Sequence, residues 1–230
     1  MSSFGVKKRA AKGSNDSDRN YECTYYKVRT ENPSTEEVMP SFVPVVKEDG
    51  KYREDWTESS EEVIGTIIGV EPRSYEYTRK GKTRTGFELR VFVDFGVNQY
   101  ARLDFGKSGM LNALMNAIAN GLIGKPVRLY LWASDEGYAN ISIKEYQEGI
   151  PVGDMKRAEM SMTFRDFYDQ FGKDAEGLMK FSMEAILPLQ EATFKIDDPF
   201  GVAALSEAAI RSMENETPQV EGEVTDDLPF

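Results

Sequence analysis

VIGTIIGVEPRSYEYTRKGKTRTGFELRVFVDF, residues 63–95, is the stretch on which the fold turns. Its first part, residues 63–77, is rich in β-branched side chains. Gly65 and Gly69 fall where a strongly bent barrel strand needs residues without a Cβ. Residues 78–86 (TRKGKTRTG) read as a polar turn. Residues 87–95 then alternate. Phe87, Leu89, Val91, Val93 and Phe95 share one face, and Glu88, Arg90, Phe92 and Asp94 share the other.

Downstream, residues 98–105 predict a third strand. Residues 108–122 place Leu111, Leu114, Met115, Ile118 and Leu122 on one helical stripe that ends at Gly124 and Pro126. Two further strands follow, at 127–133 and 138–146. The order β-β-β-α-β-β predicts a mainly β chain built on a five-stranded OB-fold Greek-key barrel over residues 62–150, with a helix between strands 3 and 4. A plain β-sandwich would not need a helix at that place. Residues 151–195 predict a C-terminal helical segment, with a capping-box-like start at Thr163 and Asp166. Upstream, residues 21–61 carry Pro33, Pro40, Pro44 and Gly50 and read as an extension of one or two short strands and loops packed on the barrel. Residues 1–20 read as a flexible arm and 196–230 as an acidic tail.

The chain has 230 residues and a formal net charge of −11. That charge is unevenly spread. Residues 1–150 hold 21 Lys and Arg against 22 Asp and Glu, whereas residues 151–230 hold 7 against 17. Between 63 and 146 the balance is 11 basic to 8 acidic. An anionic protein can therefore present a local positive face. Histidine is absent and Cys23 is the one cysteine, so neither a disulfide within the chain nor a Cys/His metal framework is expected, and a reducing cytoplasm fits. No run of 18 apolar residues and no secretory signal pattern occurs, which argues against a membrane span. No cofactor is expected.

Alternation also sorts the candidate outer surface. With Val127, Leu129 and Leu131 inward, Arg128, Tyr130 and Trp132 face out. The same logic turns Arg90 and Phe92 outward on the second strand, and Tyr100 and Arg102 on the third. Arg73, Tyr75 and Tyr77 leave the first strand beside a turn bearing Arg79, Lys80, Lys82 and Arg84 and no acid. Basic residues hold phosphates, and exposed rings stack on bases at about 1–3 kcal/mol each. This combination suits a single nucleic-acid strand held without sequence readout.

The final residues, Asp226, Asp227, Leu228, Pro229 and Phe230, resemble the acidic tip of bacterial and phage single-stranded DNA-binding proteins. The resemblance is close at the tip and is one of pattern in the barrel. It implies an OB fold, protection of single-stranded DNA during replication, recombination and repair, and no catalysis. It also implies recruitment of polymerase, primase, helicase or repair factors, the terminal Phe entering a pocket on the partner while the aspartates meet its basic rim. Self-association as a homo-oligomer is left open. A long segment before the barrel, a helical segment after it and a short linker poor in Gly, Pro and Gln suggest a phage-type member acting in the host cytoplasm. A partial copy of the tip, Asp197-Asp198-Pro199-Phe200, reads as a turn.

Two other functional classes compete with this one. Residues 101–108 (ARLDFGKS) match a Walker A loop at Gly106, Lys107 and Ser108, but Ala101 stands in place of the first glycine and the intervening residues alternate as strand. An OB-fold adaptor or RNA-binding protein of a replication complex is the remaining alternative.

Overall fold

The structure, a computed structural model, describes residues 22–32, 37–96 and 99–193. The expected arm at 1–20, the tail at 196–230 and both tip-like motifs lie outside the described residues. The chain is mainly β. Its strands are β1 (Glu22–Glu31), β2 (Val38–Glu48), β3 (Lys51–Glu54), β4 (Glu62–Arg79), β5 (Lys82–Gly96), β6 (Gln99–Gly106), β7 (Pro126–Ala133) and β8 (Ala139–Glu145). Helix α1 (Gly109–Ala117) follows β6 and widens into a π-type turn at Ile118–Leu122. After β8 come α2 (Phe164–Phe171), α3 (Ala175–Phe181) and α4 (Leu187–Thr193), the last two joined through a second wide turn at Ser182–Ile186.

All eight strands join one sheet in the order β3-β2-β1-β6-β5-β4-β7-β8. Neighbours are antiparallel except β1, which lies parallel to β6 with Tyr25 beside Arg102 and Lys27 beside Asp104. The sheet is therefore mixed, and it does not close, since β3 and β8 are its outer strands. Among the described residues an isolated bridge ties β2 to Ser60, two residues before β4: the Phe42 and Ser60 amides each donate to the other's carbonyl, at 2.7 and 3.0 Å.

β4 shows why the sheet bends. Val63 and Ile67 are buried, the register slips between Ile67 and Gly69, and Val70 and Pro72 carry the inward face onward. A bulge of this kind sharpens local twist. The pairing of β4 with β7 ends at Thr66, and beyond it the Val70 amide donates to the Gln190 side-chain oxygen at 2.8 Å, in a buried spot. Gly65 is needed for a different reason: a Cβ there would lie 2.5 Å from Val93 Cγ1 and 2.8 Å from the Asp94 carbonyl oxygen.

The core gathers the inward residues of β4, β5, β6 and β7 with the apolar stripe of α1. Ser108 caps α1, its hydroxyl accepting from the Leu111 amide at 3.2 Å. All residues from Met110 to Ile118 are buried, including Asn112 and Asn116. These two amides hold the C-terminal segment. Asn112 Nδ2 donates to the Tyr168 hydroxyl at 2.7 Å, and Asn116 Oδ1 accepts from the Ser161 amide and hydroxyl at 2.8 Å each. Phe167, Phe171 and Phe181 then complete the same core, with ring centroids 4.7 to 5.6 Å apart.

Two expectations need correcting. Residues 21–61 supply three strands, two of them ten and eleven residues long, and these are part of the sheet. Residues 78–86 are mostly strand, because the ladder continues to Arg79 opposite Lys82 and only Lys80 and Gly81 turn. Both have positive φ, 54° and 71°, the two-residue turn that matches the twist of the strands it joins.

Candidate nucleic-acid interface

The long ladder of β4 with β5 creates an arm. From Arg73 to Thr85 every residue is exposed. The register pairs Tyr75 with Gly86, Tyr77 with Arg84 and Arg79 with Lys82. Directly opposite residues share a face, as do every second residues along a strand. One face of the arm therefore carries Arg73, Tyr75, Tyr77, Arg79, Lys82 and Arg84, and the other carries Ser74, Glu76, Thr78, Thr83 and Thr85. Tyr75 and Tyr77 are 41% and 39% exposed with ring centroids 6.1 Å apart. Among the described residues none of Arg73, Arg79, Lys80, Lys82 and Arg84 forms an ion pair. The Tyr75 hydroxyl is pushed above the usual phenol range by partial burial and then by Glu88 and Tyr77.

Toward the middle of the sheet the charges cancel. Lys27, Asp104, Arg90 and Glu71 stand side by side across β1, β6, β5 and β4, alternating in sign. Arg90 donates to Glu71 at 3.1 Å and to Glu88 at 3.3 Å. Arg102 donates through Nε and Nη2 to the two Asp104 oxygens at 2.8 Å, and its guanidinium lies 4.4 Å from the centre of the Tyr25 ring. Burial pushes the Asp104 carboxyl up, against the pull of Arg102. Burial opposes the Arg90 charge, but Glu71, followed by Asp104 and Glu88, holds it above the ordinary guanidinium value. Tyr100 is half-buried opposite Asp94.

Phe92 is a correction. Alternation gives it an outer position, yet it is 4% exposed, and Val91 and Val93 on either side are buried too. Both faces of β5 are covered there, so Phe92 is a packing residue and offers no ring to a base.

The third group stands elsewhere. Arg128, Tyr130 and Trp132 lie on β7, which pairs with the beginning of β4: Tyr130 is opposite Glu62. The arm is the far end of that strand. Fifteen residues separate Glu62 from Tyr77, about 50 Å along the strand at roughly 3.3 Å per residue. Arg128 is ion-paired to Glu62 at 2.6 Å and lies 4.9 Å from the Tyr130 ring centre. Trp132 is 43% exposed and borders two clefts. One, of about 480 Å³, runs between β2 and β7, and the other, of about 640 Å³, includes Val38, Met160 and Tyr138.

The structure thus unites Arg73, Tyr75, Tyr77, Arg79, Lys80, Lys82 and Arg84, and separates them from Arg128, Tyr130 and Trp132. Sequence reasoning missed Tyr25, Lys27 and Arg29 on β1. Their spacing at every second position in YECTYYKVR was the available signal. Residues 101–105 belong to strand β6, and Ser108 caps α1, so the Walker-like stretch is not a loop. Among the described residues no group of three or more Cys, Asp or Glu gathers to hold a metal ion, and no helix is long and apolar enough to cross a membrane. No family model matches the chain, and neither does any curated protein or any solved structure.

Proposed function

We propose that this protein binds and protects single-stranded DNA without sequence readout and recruits replication proteins through the tip Asp226 to Phe230. One observation carries the reading: the β4–β5 arm gathers five cations and two tyrosines, six of the seven on one exposed face, with no ion pair among the described residues to cancel the charge. A single strand offers phosphates and bare base faces, and this surface offers a partner for each. A neighbouring protein would gain little from a cationic ribbon without a buried apolar centre.

Within this proposal β4, β5, β6, β7 and β8, with α1 between the third and fourth, form the OB-type unit. Its first strand is bulged in mid-length, as a small curved barrel requires. The tip supplies an apolar side chain on an acidic segment, fit for a hydrophobic pocket with a basic rim.

Fluorescence anisotropy of end-labelled oligo(dT) and of a labelled duplex, titrated with the full chain at several salt concentrations, tests this. Preferred binding of the single strand, weakening steeply with salt, is expected. Equal or tighter binding of oligo(U) would move the reading to the RNA-binding alternative, and indifference to both would leave the adaptor.

A further inference from the structure

We propose that the ribbon formed by β2 and β3 is a second contact for the same single strand, with Tyr52 stacking on a base and Lys47 beside it meeting a phosphate. This inference rests on the reading given above and assigns a role to the segment before the barrel.

Tyr52 is 71% exposed, more than any other large apolar or aromatic side chain described. It stands directly opposite Lys47, whose Nζ is 5.6 Å from the ring centre. A ring and an ammonium group held together in water form a small version of the arm's surface. The ribbon closes in a two-residue turn, Asp49 and Gly50 taking φ of 50° and 79°. Its acids are mostly engaged. Glu54 accepts from Arg29 Nε at 3.1 Å and pairs with Lys27 at 3.7 Å, while Glu48 pairs with Arg53 at 3.8 Å. Asp49 alone adds negative charge at the turn. Lys47 forms no ion pair among the described residues, and Lys51, opposite Glu48, lies on the ribbon's other face.

The ribbon is also continuous with the arm. Arg29 of β1 grips Glu54 of β3, and its charge acts on the Tyr75 hydroxyl of β4. On the same side of β1, Tyr25 lies under the Arg102 guanidinium. By register Lys27 and Arg29 share a face with Lys47 and Tyr52 on one side and, across Asp104, Arg90 and Glu88, with Arg73 at the base of the arm on the other, so a strand held at Tyr77 and Tyr75 can reach Tyr52 along one face of the sheet.

The full chain and a Tyr52→Ala/Lys47→Gln variant are titrated with oligo(dT) of increasing length. We expect the variant to match the parent on the shortest oligomers that bind, and to lose about tenfold on long ones, in keeping with one lost stack. Its salt slope on long oligomers should fall by about 0.7, for one phosphate contact. A Lys47→Arg variant should keep the parent's affinity. A double variant equal to the parent at every length overturns the inference while leaving the arm's role intact. No binding of oligo(dT) by the parent chain at low ionic strength overturns both.

Discussion

Tyr75 lies over Gly86, its cross-strand partner, so closely that a Cβ at Gly86 would sit 2.6 Å from the ring's Cζ. The glycine makes the seat in which the ring rests, leaving it 41% exposed. Gly86→Ala should lift the ring and lower oligo(dT) affinity several-fold. Tyr75→Ala should cost more, about 5- to 150-fold if one base stack is lost. Binding isotherms for both variants, with circular dichroism to show an unchanged sheet, check the order of the two effects.

The arm's cations should appear in the salt dependence. Replacing Arg79, Lys80, Lys82 and Arg84 together by glutamine removes up to four phosphate contacts. The slope of log affinity against log salt should then become shallower by roughly 3, at about 0.7 per contact. Anisotropy titrations over a range of salt concentrations measure this directly.

The neutralised centre of the sheet makes the opposite prediction. Glu88 faces Arg73 across the ladder and also binds Arg90. Glu88→Gln removes a negative charge next to the arm and leaves Arg90 with Glu71. Affinity for oligo(dT) should rise at low salt and converge with the parent at high salt, where such charges are screened.

Two tests address what holds the binding surface in place. Gln190→Met keeps the side-chain bulk but leaves the buried Val70 amide without its acceptor. It should cost about 1–3 kcal/mol in denaturant unfolding. Glu54 supplies the pH test. Burial acts to raise its carboxyl, but hydrogen bonding and charge from Arg29, with help from Lys27, hold it below the ordinary 4.5. A depressed folded-state value means stability that is present above pH 4.5 and is lost as pH falls through the lower, folded value. The parent should therefore lose more stability than Glu54→Gln on acidification below pH 4.5. The difference should be modest, because the pair is half in water.

The sequence made the strand order from residue 62 to 146 legible because alternation, a glycine-marked bend and a capped amphipathic helix are local signals. Phe92 misled because alternation assigns a face without showing whether that face is covered. The ion pairs of Arg90, Arg102 and Arg128 could not be read, since they depend on which strands become neighbours and in what register. The arm was half visible: its composition was plain, but the ladder that makes it a ribbon needed the register. Residues 21–61 were misjudged because prolines at 33, 40 and 44 suggested loops. The Asp49-Gly50 pair is a hairpin signal in its own right. Nothing local could link Val70 to Gln190, 120 residues away.

Photochemical cross-linking tests the central claim most directly. Oligo(dT) carrying halogenated bases is irradiated with the full chain and the attached peptides are identified by mass spectrometry. The arm account predicts adducts at Tyr75 or Tyr77. Adducts confined to the cleft of Trp132 and Tyr138, or none despite binding, would contradict it.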